Sequence, residues 1–71
     1  MTQAHWNALL DVVEEARKVI PISNYHHLRL VRESVDVLRQ GATGFTGEHR
    51  AMLLDLARDL EGLANAAAAR L

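Results

Sequence analysis

Apolar residues recur at helical spacing in three stretches of the chain. Trp6, Leu9, Val13, Ala16 and Ile20 follow at intervals of 3, 4, 3 and 4, the seam of a helix that buries one side. Leu28, Val31, Val35 and Leu38 repeat at 3, 4 and 3. Leu53, Leu56, Leu60, Leu63 and Ala67 repeat at 3, 4, 3 and 4, with Met52 and Leu71 alongside. This pattern predicts an all-α fold with helices over 3–19, 24–40 and 47–70. A small antiparallel three-helix arrangement, completed by dimerisation, accommodates three such seams. Pairing of two long helices across a dimer into a larger bundle is the alternative.

The helix ends carry their own signals. Thr2 is placed to cap the first helix, with Met1 and Trp6 at the positions of a hydrophobic staple. Glu14 precedes Lys18 by four residues, the favourable order for a surface pair. Pro21 stops this helix, because it lacks an amide hydrogen and disfavours helical geometry at Ile20. The connection Pro21-Ile22-Ser23 then predicts a tight corner, and either Ser23 or Asn24 serves as the next cap. Gly41 is a suitable helix stop, and 41–47, with three of the four glycines, reads as a loop. Its one large apolar residue, Phe45, is expected to plug the end of the bundle. Thr46 is expected to cap the third helix, with Glu48 favourably placed in its first turn.

The third helix, at about 34 Å, is longer than its neighbours at about 26 Å each. Its 64–69 end is therefore expected to overhang by about two turns. Gly62, Ala66 and Ala69 form either a small-residue face for close helix contact or part of a frayed tail. Gly62 costs this helix about 1 kcal/mol relative to alanine.

The second helix has an apolar stripe left over. Leu30 and Val37 lie about 120–140° from its core seam, in line with His26 and Glu33. Val12 and Val19 flank the seam of the first helix, and Leu54 is similarly displaced on the third. Scattered exposed apolar side chains are ordinary, whereas an aligned set builds a contiguous patch. His26, Leu30, Glu33, Val37, Val12, Val19 and Leu54 are therefore the candidate partner-binding or dimer interface. The competing explanation is that the second helix is central and covered on both sides by its own chain.

Composition narrows the functional classes. At 71 residues a single helical domain over 1–71 is expected, and a chain this short buries only about 60% of its unfolded surface. With no cysteine, neither disulfides nor thiolate-held metals can supplement the core, which favours self-association. The formal net charge of −1 supplies no strong field for nucleic acid or an anionic membrane. The first residues lack the basic start of a secretory leader, and no apolar run reaches about 18 residues. A cytoplasmic protein without a membrane span is expected. Its size and composition fit an accessory factor of a phage or mobile element.

No cluster reads as catalytic, cofactor-binding or metal-ligating. His26 and His27 are adjacent and diverge by about 100° on a helix, and His5 and His49 have no partner in the pattern. Ser23 and His27 are four apart, but Ser23 is accounted for as a cap candidate, and no carboxylate is placed to orient His27. Asp11 and Glu15, like Asp55 and Asp59, read as solvated faces. The segment GATGFTG matches no phosphate-binding loop. The expectation is thus a non-enzymatic interaction module that binds a partner protein and itself. The alternative is a small dimeric helix-turn-helix-like DNA-binding regulator, with Asn24, Tyr25, His26, His27, Arg29 and Arg32 at the start of a recognition helix. Glu33 follows Arg29 by four residues and Asp36 follows Arg32 likewise, so local charge matching weighs against that alternative.

Overall fold

The computed structural model describes residues 3–71, so the expected Thr2 cap and the Met1–Trp6 staple lie outside the described residues. Three helices account for the described fold: α1 (Gln3–Arg17), α2 (Tyr25–Ala42) and α3 (Gly47–Arg70). No strand occurs among the described residues. The molecule measures 38 × 18 × 14 Å, its long dimension close to the length of α3. Central in the fold is α2, which packs most extensively on α3 and less on α1, while α1 and α3 scarcely approach each other.

The seam of α2 is buried as the spacing predicts. Leu28, Val31, Val35 and Leu38 are all inside, with Val31 and Leu38 fully so. Ser34 is also buried, and its hydroxyl donates to the Leu30 carbonyl at 2.8 Å, which satisfies the polar group within its own helix. Asn24, not Ser23, is the cap of α2: its side-chain oxygen accepts from the His27 amide at 2.8 Å.

Gly41 does not stop this helix. The helix continues to Ala42 and ends through Thr43 in right-handed geometry. A Cβ on Gly41 would stand 2.6 Å from Leu9 Cδ2, so glycine serves there to let the Leu9 side chain onto the helix backbone. The loop is correspondingly shorter than 41–47.

On α1, Leu9, Val13 and Ala16 are buried, with Trp6 and Ile20 packed at the margins. The helix ends at Arg17, two residues sooner than the spacing predicts. The Val19 and Ile20 amides bond the Ala16 and Arg17 carbonyls at 3.2 Å, a tightened turn of the kind that often ends a helix. The Ile20–Pro21 peptide bond is cis. With α1 ending at Arg17 and α2 starting at Tyr25, the connection is longer than a three-residue corner, and Ile22 within it is a buried member of the core. Lys18 pairs with Glu15 at 3.0 Å rather than with Glu14, which approaches Arg17 at 3.8 Å.

The largest departure from the sequence pattern is the face of α3. Buried positions are Leu53, Ala57, Leu60, Ala64 and Ala67, so the seam uses Ala57 and Ala64 where Leu56 and Leu63 were expected. Leu56 is only partly buried and Leu63 is 47% exposed. Small side chains face the core here because helix axes approach more closely over alanine than over leucine. The 64–69 end does not overhang, since Ala64 and Ala67 belong to the same buried cluster as Ile22 and Leu28. Gly62, Ala66 and Ala69 are exposed and make no contact face within the chain. Thr46 has the backbone geometry of a cap but no side-chain capping bond. Gly47, the first residue of α3, has φ +59°, which a residue with a Cβ adopts only under strain.

One ion pair joins α2 to α3: Arg39 donates to Glu61 at 2.7 Å. This hydrogen bond is the main reason the Glu61 carboxyl sits below its usual range. A depressed carboxylate stabilises the fold above its unfolded value, and that support is lost as pH falls through the folded value.

The glycines separate packing from propensity. Gly62 has nothing within 4 Å of an added Cβ, so Gly62→Ala is expected to stabilise by about 1 kcal/mol and raise the melting temperature by roughly 4–8 °C. Gly41→Ala forces Leu9 to move within the core, and overpacking of about 1–3 kcal/mol outweighs the same propensity gain. Thermal melts followed by circular dichroism check both signs.

Candidate protein-docking site

Where α1 meets α2, the side chains leave a shallow groove of about 450 Å³. Its apolar surface comes from Val12 on α1 and from Leu30 and Val37 on α2. Val12 and Leu30 are partly buried, and Val37 is 44% exposed. These positions exist because α2 turns its Leu28–Leu38 seam toward the core, which leaves Leu30 and Val37 on the flank beside α1. Asp11, Glu15 and Glu33 also line the groove, and all three are exposed.

Four of the seven residues singled out from the sequence thus converge: Val12, Leu30, Glu33 and Val37. The other three do not. His26 is exposed outside the groove, its ring 6.2 Å from that of His27. Val19 packs at the margin of the core, and Leu54 is exposed on α3. The view of α2 as a central helix covered on both sides is therefore half right. It is central, but the α1 side is only partly closed.

A second groove, which the sequence pattern did not indicate, lies between α1 and α3. Val13, Ile20, Leu56, Leu60 and Leu63 line it together with Arg17 and Asp59, around a space of about 330 Å³. It exists because α3 turns its alanines inward and leaves Leu56 and Leu63 on the flank. The signal was present as a second register, Leu53-Ala57-Leu60-Ala64-Ala67, but side-chain size favoured the wrong one.

The histidines also fall differently. His5 stacks on Phe45 with ring centroids 5.4 Å apart, and His49 meets Trp6 edge-on at 4.8 Å. Trp6 and Phe45 are themselves edge-to-face at 5.4 Å. Phe45 thus closes the end of the bundle within a four-ring cluster, in a favoured aromatic geometry.

Elsewhere, Ser23 Oγ and Asn24 Nδ2 each lie 3.4 Å from His27 Nδ1, a distance too long for a strong hydrogen bond. Among the described residues no group of three histidines or acids is placed to hold a metal ion, and no helix is long and apolar enough to cross a membrane. Asp55 pairs with Arg58 in its own helix, whereas Asp59 faces the second groove.

The residues of the DNA-binding alternative lie along the start of α2. Asn24 spends its side-chain oxygen on the cap, Tyr25 is 66% exposed, and Arg29 and Arg32 are exposed. Neither arginine closes the expected pair with Glu33 or Asp36, because among the described residues the ion pairs are Glu14–Arg17, Glu15–Lys18, Arg39–Glu61 and Asp55–Arg58.

Compared with protein-family models, curated proteins and solved structures, the chain matches none.

If Leu30 and Val37 are surface rather than core, Leu30→Glu with Val37→Glu is expected to lose no more than about 1 kcal/mol. Leu38→Ala, deep in the core, should lose about 2–5 kcal/mol. Urea titrations of the two variants distinguish these outcomes.

Proposed function

We propose that this chain is a non-enzymatic protein-interaction module, acting as an adaptor, inhibitor or accessory factor, that binds a partner protein through the α1/α2 groove and works as a homodimer. In this reading consecutive helices run antiparallel. Support for that order comes from His5, early in α1, stacking on Phe45 just past the end of α2, and from Trp6 lying beside His49 at the start of α3.

The observation that carries the reading is the convergence of Val12, Leu30 and Val37 in one open groove. Leu30 and Val37 are two helical turns apart, the spacing at which an amphipathic helix presents successive anchors to a groove. Charge defines the partner further. Asp11, Glu15 and Glu33 line the groove, and of the three Glu15 alone forms an ion pair among the described residues, with Lys18. The complementary partner is an amphipathic helix with lysine or arginine beside its apolar stripe.

A second reading, DNA binding by α2, is favoured by one observation: Arg29 and Arg32 are exposed and outside every ion pair among the described residues. Contacts to phosphate would make such binding strongly salt-dependent, so a gel shift at low salt tests it directly.

The docking reading is tested with a helical peptide bearing leucines at i, i+3 and i+7 and flanking lysines. This peptide is expected to shift the NMR signals of Val12, Leu30 and Val37. Its glutamate-flanked counterpart should bind about tenfold more weakly, and Leu30→Glu with Val37→Glu should abolish binding. Equal binding of the two peptides, or shifts elsewhere, would sink the reading.

A further inference from the structure

We infer that the homodimer forms through the α1/α3 groove, with a second copy of this chain as its occupant, and leaves the α1/α2 groove free. The inference rests on the homodimeric reading above but places the interface on a different surface.

Shape comes first. α3 carries Met52, Leu56 and Leu63 on its flank, with Met52 50% and Leu63 47% exposed. Leu56 and Leu63 lie two turns apart, and Met52 extends the same flank by a further turn. Leu56 and Leu63, with Val13 of α1 and Ile20 just beyond its end, border a cleft that the chain leaves open, because its first and third helices scarcely approach each other.

Charge then selects the occupant. The α1 side of this groove carries Arg17 and the α3 side carries Asp59. Arg17 is 3.8 Å from Glu14, and Asp59 belongs to no ion pair among the described residues. In a two-fold interface the same patch meets itself. A two-fold axis along the groove sets α1 of one copy over α3 of the other, so Arg17 faces Asp59 of the second copy, and the pair occurs twice. The α1/α2 groove fails the same test. Its charged lining residues are Asp11, Glu15 and Glu33, and a second copy there would bring like charges together, which is unfavourable.

Light scattering and sedimentation equilibrium on the full chain, with circular dichroism as the folding control, test the placement. The wild type is expected at twice the chain mass of 7.9 kDa. Leu63→Glu should weaken the dimer by about a hundredfold or more. Arg17→Glu and Asp59→Arg should each weaken it by about tenfold, and combining them should restore it to within about threefold. That rescue does not depend on Leu63→Glu folding, since both charged side chains are exposed.

A dimer that survives Leu63→Glu, or a charge-swapped double variant no better than the single ones, overturns the placement. So does a dimer dissolved by Leu30→Glu with Val37→Glu alone. A wild-type monomer would overturn the dimer altogether, while lysine-peptide binding in the α1/α2 groove, measured separately, would still stand or fall on its own.

Discussion

The constraint on which everything else depends is that α2 must serve two neighbours at once. Its buried face, from Leu28 to Leu38, meets α3 broadly and α1 more narrowly. Burial of these side chains supplies most of the driving force available to a chain this small. The alanines of α3 serve the more extensive of the two contacts: Ala57, Ala64 and Ala67 are essentially fully buried. On the other side Gly41 gives Leu9 its seat on α2.

With both neighbours packed on α2, α1 and α3 come together only slightly, at the end where Trp6 meets His49. That geometry leaves α1 with an open groove on each side, and both grooves are lined by apolar residues. A fourth helix would fill such a space in a larger bundle. Here the apolar side chains at the grooves remain partly exposed, and their exposure follows from the packing of α2 and α3, not from chance scatter of leucines.

Much of this fold was legible in the sequence because the periodicity of α1 and α2 was carried by large aliphatic residues. Leu9, Val13, Leu28, Val31, Val35 and Leu38 are buried where their spacing puts them. The face of α3 was misread because leucines and alanines alternate in two adjacent registers, and hydrophobicity alone favours the larger side chain. Close packing favoured the smaller one. Gly41 was misread for a related reason: glycine ends helices, but it also admits a neighbour's side chain, and only the position of Leu9 distinguishes the two uses. Ile22 was missed because no periodicity marks a core residue inside a connection. The α1/α2 groove was half legible, since the stripe of Leu30 and Val37 shows in the sequence while its proximity to Val12 depends on tertiary packing.

Apolar area alone does not distinguish the two grooves, because both are lined by aliphatic side chains of similar kind. Their charges do. A groove lined with Asp11, Glu15 and Glu33 resists a copy of itself and favours a cationic partner, whereas one with Arg17 on one side and Asp59 on the other is complementary to itself under two-fold rotation. The same helix, α1, contributes to both grooves, so its polar positions divide the labour that its apolar seam cannot. Under the proposed assembly, specificity on the two sides of α1 resides in a few exposed charges. Those charges add little to the stability of the fold, which leaves them free to set what each groove accepts.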